Sequence, residues 1–139
     1  LTGQRDYEQS IRFSLTRPVD NRIVIDWDGT LVEEKWPGMG DWLPGAKEAV
    51  ATFLEFGYEV VIFSTRLAYV DIDEVTPVDT QQAAKVRDML NEAGLHEVRI
   101  WTEPWKPRAF IYIDDRGMRF EGDWENIIEQ VEYLTKEKV

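Results

Sequence analysis

Residues 23–32 read Ile-Val-Ile-Asp-Trp-Asp-Gly-Thr-Leu-Val. An apolar, β-branched run breaks off into two carboxylates one residue apart, followed by Gly and Thr. β-Branched residues favour a strand, and one so short and apolar belongs in an interior. Asp26 and Asp28 then stand at its C-terminal end, the end at which open α/β sheets bind ligands. Side chains one residue apart point the same way on an extended strand. Carboxylates so paired repel, and a bound cation or a shared proton must offset the charge. The plainer alternative is a strand followed by an acidic Asp-Gly turn. A short motif alone does not decide between the two.

The chain around this stretch has 139 residues, 43% of them apolar, with six Trp. That predicts a single globular domain over residues 1–139, large enough for a core. No run is long enough to span a membrane and no signal-peptide pattern opens the chain, so no membrane partner is expected. The absence of Cys excludes disulfides, thiolate metal sites and cysteine nucleophiles, and fits a cytoplasmic location. With His96 as the single His, a multi-histidine zinc site is excluded, and His96 reads as a surface residue between elements. The net charge of −11 argues against a large duplex-DNA footprint. It leaves room for a nucleic-acid end or a small phosphate held by local cations.

Elements follow from periodicity and punctuation. Residues 1–21 form an N-terminal extension whose Tyr7, Ile11 and Leu15 share a helical spacing, ended by Pro18. The first strand is expected over 22–26. Pro44 opens a helix with Ala46, Ala49, Val50, Phe53 and Leu54 on its apolar face, closed by Gly57. A second strand over 59–63 ends at Ser64-Thr65-Arg66. Asp79 and Gln82 resemble a capping box for a helix carrying Ala83, Val86, Leu90 and Ala93, closed by Gly94. Strands are expected over 98–101 and 110–113. Asp123 caps a last helix whose apolar face is Trp124, Ile127, Ile128, Val131 and Leu134. Strands alternating with helices predict an α/β fold, a three-layer Rossmann-like parallel sheet with helices on both faces. The link from Trp101 to Phe110 is too short for a helical crossover, so either the third strand is irregular or the chain crosses in extended form.

In a parallel sheet the ends of these strands share one rim. Asp26 and Asp28, then Ser64 and Arg66, then Asp114 and Asp115 would surround one crevice, with Lys106 in reach from the preceding loop. Carboxylates without His or Cys favour a hard, oxygen-loving cation, Mg²⁺ above all. Lys and Ser beside such a cluster suit a phosphoryl group.

Asp26-Trp-Asp-Gly-Thr-Leu-Val resembles the first motif of the haloacid dehalogenase-like (HAD) phosphohydrolases, DxDGT. Ser64 after Val-Ile-Phe is similar to their second motif, Lys106 in Lys-Pro-Arg-Ala-Phe to the third, and Tyr-Ile-Asp114-Asp115-Arg to the fourth. The motifs come in the family's order over about residues 22–120. The resemblance implies an aspartyl-phosphate formed on Asp26, with Asp28 protonating the leaving oxygen and then activating water. It implies phosphoryl contacts from Ser64, or from the adjacent Thr65, and neutralisation by Lys106. It implies Mg²⁺ held by Asp26, the backbone carbonyl of Asp28 and the last motif, Asp115 directly and Asp114 orienting. Arg66 and Arg116 are candidates for the substrate or for pairing with neighbouring carboxylates. Trp27 departs from the commoner aliphatic or Phe.

The loops 33–43 and 67–78 are too short for the family's cap domain, so the resemblance is to a capless member, which implies a large substrate or one enclosed by a partner. Trp36, Trp42 and Tyr69 could stack on a base or sugar, or close the loops onto the core. The combination Lys-Pro…Tyr-Ile-Asp-Asp-Arg is also similar to phage polynucleotide 3′-phosphatases, deoxyribonucleotidases and small capsule-biosynthesis phosphatases. The expectation is a Mg²⁺-dependent phosphomonoester hydrolase acting on a phosphorylated substrate, a nucleotide or polynucleotide end. The alternatives are a sugar-phosphate phosphatase, a phosphotransferase, or a non-catalytic binding module of the same fold. Oligomeric state is not legible.

Overall fold

The structure is a computed structural model describing residues 21–67 and 81–138. Four parallel strands form one sheet in the order β3-β2-β1-β4. They are β1 (Arg22–Ile25), β2 (Glu59–Ile62), β3 (Arg99–Ile100) and β4 (Ile111–Ile113). Three helices are described: α1 (Ala46–Glu55), α2 (Gln81–Glu92) and α3 (Trp124–Glu137). No described helix is long and apolar enough to cross a membrane.

The central strands are the most apolar, as burial requires. Ile23, Val24 and Ile25 of β1 and Val60, Val61 and Ile62 of β2 are all buried. Register sorts them onto two faces, because laterally paired residues in a parallel sheet point together. Ile23 pairs with Val60 and Ile111, and Ile25 with Ile62 and Ile113. On this face Ile23, Ile25, Val60 and Ile62 join one cluster with Ala46 and Val50 of α1 and Val86 and Leu90 of α2. Both helices therefore cover the same face. Fully burying such side chains stabilises the fold by about 1.5–3 kcal/mol each.

The second expected layer of helices belongs to the opposite face. That face carries Arg22, Val24, Val61, Arg99 and Tyr112, by the same register. Since β3 and β4 lie at opposite edges, residues 101–110 must cross the sheet, and they do so without a helix. Trp101 Nε1 donates to the Trp105 carbonyl at 2.7 Å, Tyr112 Oη to that of Pro107 at 2.6 Å, and Arg22 Nη1 to that of Arg108 at 3.0 Å. The guanidinium groups of Arg22 and Arg99 lie 5.4 and 5.0 Å from the Trp101 ring. An extended crossover thus takes the place of a helix, and β3 is cut to two residues.

β1 ends at Ile25, one residue before the expected limit. The Asp26 amide still donates to the Ile113 carbonyl at 3.0 Å. Beyond it the Trp27 carbonyl collects the amides of Thr30, Leu31 and Val32, and the chain turns. Gly57, at φ 90°, follows α1 as expected. Asp123 caps α3, its Oδ1 accepting from the Glu125 and Asn126 amides at 3.0 and 3.2 Å. The apolar stripe of α3 is not a core face: no residue of this helix is buried. Trp124, Ile128, Val131 and Leu134 are exposed, as are Ile111 and Tyr112 of the edge strand β4. The spacing of those residues specifies a helix with one apolar side, but not what covers it. The expected helix near Tyr7, the capping residue Asp79 and the loop residue Tyr69 lie outside the described residues.

Candidate functional site

Two neighbouring strands, β1 and β4, deliver the acidic groups. Their registers bring Asp26 beside Asp114 and Asp115 at the C-terminal rim. Carboxylate oxygens of Asp26, Asp114 and Asp115 all lie within 4.8 Å of one another. Asp26 is half-buried and accepts from the Trp27 amide at 2.8 Å through Oδ1. Its pKa is pushed up from 3.8 to about 6, chiefly by burial. The Trp27 hydrogen bond opposes that rise, while the charges of Asp114, Asp115 and Asp28 add to it. Charge in this cluster is therefore under-compensated by the protein itself.

The other two carboxylates are held by short-range devices. Asp114 Oδ1 accepts from the amides of Arg116 at 2.6 Å and Gly117 at 3.1 Å, closing a turn. Asp115 Oδ1 lies 3.4 Å from the Thr30 hydroxyl. A Cβ on Gly29 would fall 2.5 Å from Asp115 Oδ2, and Gly29 has φ +80°. Gly29 thus does two things at once: it makes the left-handed turn and leaves room for Asp115. An all-oxygen donor set of this kind fits Mg²⁺ and not a softer ion.

Asp28 is not one of the three carboxylates that lie within 4.8 Å of one another, but its charge helps to raise the Asp26 pKa. Arg66, carried on a single 3₁₀ turn (Thr65–Leu67) after β2, takes the Asp28 carboxylate instead. Its Nε donates to Asp28 Oδ2 at 2.9 Å and its Nη2 to Oδ1 at 2.7 Å. Nη1 donates to Gln82 Oε1 at 2.6 Å and reaches the Pro37 carbonyl at 3.4 Å, while Nη2 also donates to the Gly38 carbonyl at 2.6 Å. The Trp36 ring lies 4.7 Å from the guanidinium carbon. The Arg66 side chain is 1% exposed.

The remaining expected residues divide. Ser64 is buried at the end of β2, its Oγ accepting from the Arg66 amide at 3.2 Å, while Thr65 is exposed. Lys106 forms no ion pair with the aspartates of the cluster. Its ammonium stands 4.1 Å from the centre of the Tyr112 ring and makes no ion pair among the described residues. The reason is the crossover, which lays this segment over the face carrying Tyr112. Arg116 contributes its amide to the Asp114 turn, and its exposed side chain forms no ion pair among the described residues. Trp36 is 60% exposed at the rim. Trp42 is not a free platform: it packs edge-on against buried Trp27, centroids 5.2 Å apart.

Three participants were not read as part of the site: Gln82, named only as a capping-box residue, and the carbonyls of Pro37 and Gly38. Gln82 is buried and in line with Val86 and Leu90 on α2. A polar residue on an apolar stripe was the signal for it. The carbonyls of Pro37 and Gly38 carried no signal at all.

No family model matches the chain, and no curated protein matches it. A solved structure described as a conserved protein from Bacteroides thetaiotaomicron is similar, with a TM-score of 0.53 at 21% identity. The match covers 81% of this chain and 89% of that one. At that identity the likeness concerns the fold: the chain has an α/β, Rossmann-like fold built on a parallel sheet.

Proposed function

We propose that the protein is a Mg²⁺-dependent phosphomonoester hydrolase of the HAD type, without a cap domain, working through an aspartyl-phosphate on Asp26. The observation that carries the reading is the meeting of Asp26, Asp114 and Asp115 within 4.8 Å at one strand rim. Asp26, the backbone carbonyl of Asp28 and Asp115 would hold the ion, with Asp114 fixed by its own turn. Mg²⁺ there would neutralise the clustered carboxylates and draw the negative oxygens of a phosphate toward Asp26.

An Asp26 carboxylate oxygen attacks phosphorus, and the bond from phosphorus to the leaving oxygen breaks. Asp28 gives its proton to that oxygen. A water then attacks the aspartyl-phosphate, losing a proton to Asp28, and phosphate and the free Asp26 carboxylate are restored. Ser64, just past the end of the neighbouring strand β2, is the hydroxyl proposed to donate to phosphoryl oxygens. Lys106, whose ammonium stands over the Tyr112 ring, is the cation proposed to neutralise the phosphate.

The proposed substrate is a phosphate on a nucleotide or polynucleotide end, with exposed Trp36 as the aromatic surface for a base. Trp42 is withdrawn from that role. A cysteine-free chain fits a cytoplasmic setting. A second reading, a cation-binding module without turnover, is favoured by one observation: no Lys or Arg forms an ion pair with the acidic cluster among the described residues. Phosphate release from mononucleotides, sugar phosphates and 3′- or 5′-phosphorylated oligonucleotides, with Mg²⁺ and with EDTA, separates the two. Turnover with Mg²⁺ alone supports the hydrolase, with transfer to added alcohols marking a phosphotransferase. Mg²⁺ binding without release of phosphate from any of them supports the module.

A further inference from the structure

We infer that Arg66 is a positioning residue for Asp28, setting its rotamer and fastening the 36–38 loop beside it, and not a ligand of the substrate phosphate. This role rests on the phosphatase reading. The inference comes from how completely the guanidinium is used. Every nitrogen has an acceptor: Nε on Asp28, Nη1 on Gln82 and Pro37, Nη2 on Asp28 and Gly38. The side chain is 1% exposed, so none of these bonds is traded with water. A phosphate could reach Arg66 only by displacing Asp28 or the loop.

The geometry suits holding a carboxylate. Two guanidinium nitrogens face the two Asp28 oxygens at 2.9 and 2.7 Å, a forked arrangement that fixes the plane of the carboxylate as well as its place. Gln82 on α2 and the two loop carbonyls fix the guanidinium in turn. Trp36 closes over it at 4.7 Å. Sequence-distant elements therefore converge on the orientation of one side chain. Asp28 is the group proposed to move protons to and from the leaving oxygen and water. A group with that task loses effect when its orientation is lost, even if it is still present.

The test is kcat/KM with Mg²⁺ for two substrates, a nitrophenyl phosphate, whose leaving group needs little protonation, and an alkyl phosphate, whose leaving group needs much. Arg66→Lys, Gln82→Leu, Asp28→Asn and the Asp28→Asn/Arg66→Lys pair are compared with wild type. Loss of acid help costs about 10²–10⁴ in rate, and misplacing the acid should cost part of it. Arg66→Lys should therefore lower the alkyl substrate about tenfold more than the nitrophenyl one, and Gln82→Leu should show the same bias more weakly. Inorganic phosphate should inhibit Arg66→Lys as it does wild type. The double variant should be no slower than Asp28→Asn alone, since the residues act as a unit.

Equal loss on both substrates with weakened phosphate inhibition would make Arg66 a phosphate ligand and overturn the inference. Additive losses in the double variant would overturn it too. If Arg66→Lys does not fold, Gln82→Leu decides by the same substrate bias. A wild type that turns over neither substrate overturns the phosphatase reading, and this role falls with it.

Discussion

Asp26→Asn should make the metal-free protein more stable while abolishing its turnover. Asparagine keeps the oxygen that accepts from the Trp27 amide, at 2.8 Å in the wild type, and removes the charge. The Asp26 pKa stands at about 6 against an ordinary 3.8. At about 1.36 kcal/mol per pKa unit, that difference is about 3 kcal/mol as a ceiling. Because Asp26 is only half-buried, water screens part of it, and about 1–2 kcal/mol is the figure to expect. In a domain of this size that raises Tm by roughly 3–8 °C. The sign with pH follows from linkage. Below 3.8 both folded and unfolded chains carry the proton, and wild type bears no penalty. Between 3.8 and about 6 the unfolded chain loses it first, so wild-type stability falls as pH rises. Above about 6 the penalty is complete and constant. Melting curves in EDTA at pH values spanning that window should therefore show the variant's advantage growing from nil to its plateau. Mg²⁺ should reverse the order: a ligand at about 100 times its Kd adds about 2.7 kcal/mol to the protein that binds it. An Asn variant less stable than wild type in EDTA above that window, or an offset independent of pH, would refute the electrostatic account of the cluster.

Gly29→Ala should act on the same cluster by contact. Its Cβ would lie 2.5 Å from Asp115 Oδ2 at a φ of +80°, so Asp115 must move; titration should show weaker Mg²⁺ binding, and melting a lower Tm. Asp115→Ala should raise the Mg²⁺ concentration needed for half-maximal activity, and Ca²⁺ should inhibit by its looser coordination; phosphate release against metal concentration checks both. Trp27→Ala should cost about 3–5 kcal/mol by denaturant titration, since the indole is fully buried and supports Trp42. Val131→Ser, on the exposed side of α3, should stay within about 0.5 kcal/mol.

The sequence made the frame legible where local chemistry and tertiary structure agree. β-Branched runs became β1 and β2, Gly57 followed α1, and Asp123 capped α3. The rim could be read because alternation of strands and helices predicts a parallel sheet whose strand ends share one edge, whereas the pairing of β1 with β4 that brings Asp26 to Asp114 and Asp115 came only from the fold. What could not be read depends on where backbones go between elements. The turn after β1 gathers three amides on the Trp27 carbonyl, and no periodicity announces a turn that closes on a carbonyl. The 101–110 crossover puts Lys106 on Tyr112, although its place in the sequence pointed to the rim. Arg66 was legible as a residue at a strand end, but its partner was not, because Gln82 and the loop carbonyls come from remote segments. The apolar side of α3 was legible as a stripe, but its exposure was not, because spacing does not say what covers a face.

The central claim is that a phosphoryl group passes through Asp26, and trapping that group tests it most directly. Protein mixed with a phosphomonoester that it turns over, in Mg²⁺, is quenched in acid during turnover and its peptides are mapped by mass spectrometry. The account expects a phosphoryl group on the peptide carrying Asp26, at that side chain. It should be more abundant in Asp28→Asn, where the water step is slowed, and absent in Asp26→Asn and in EDTA. Phosphate release that proceeds undiminished in Asp26→Asn would mean that the reaction does not pass through this residue.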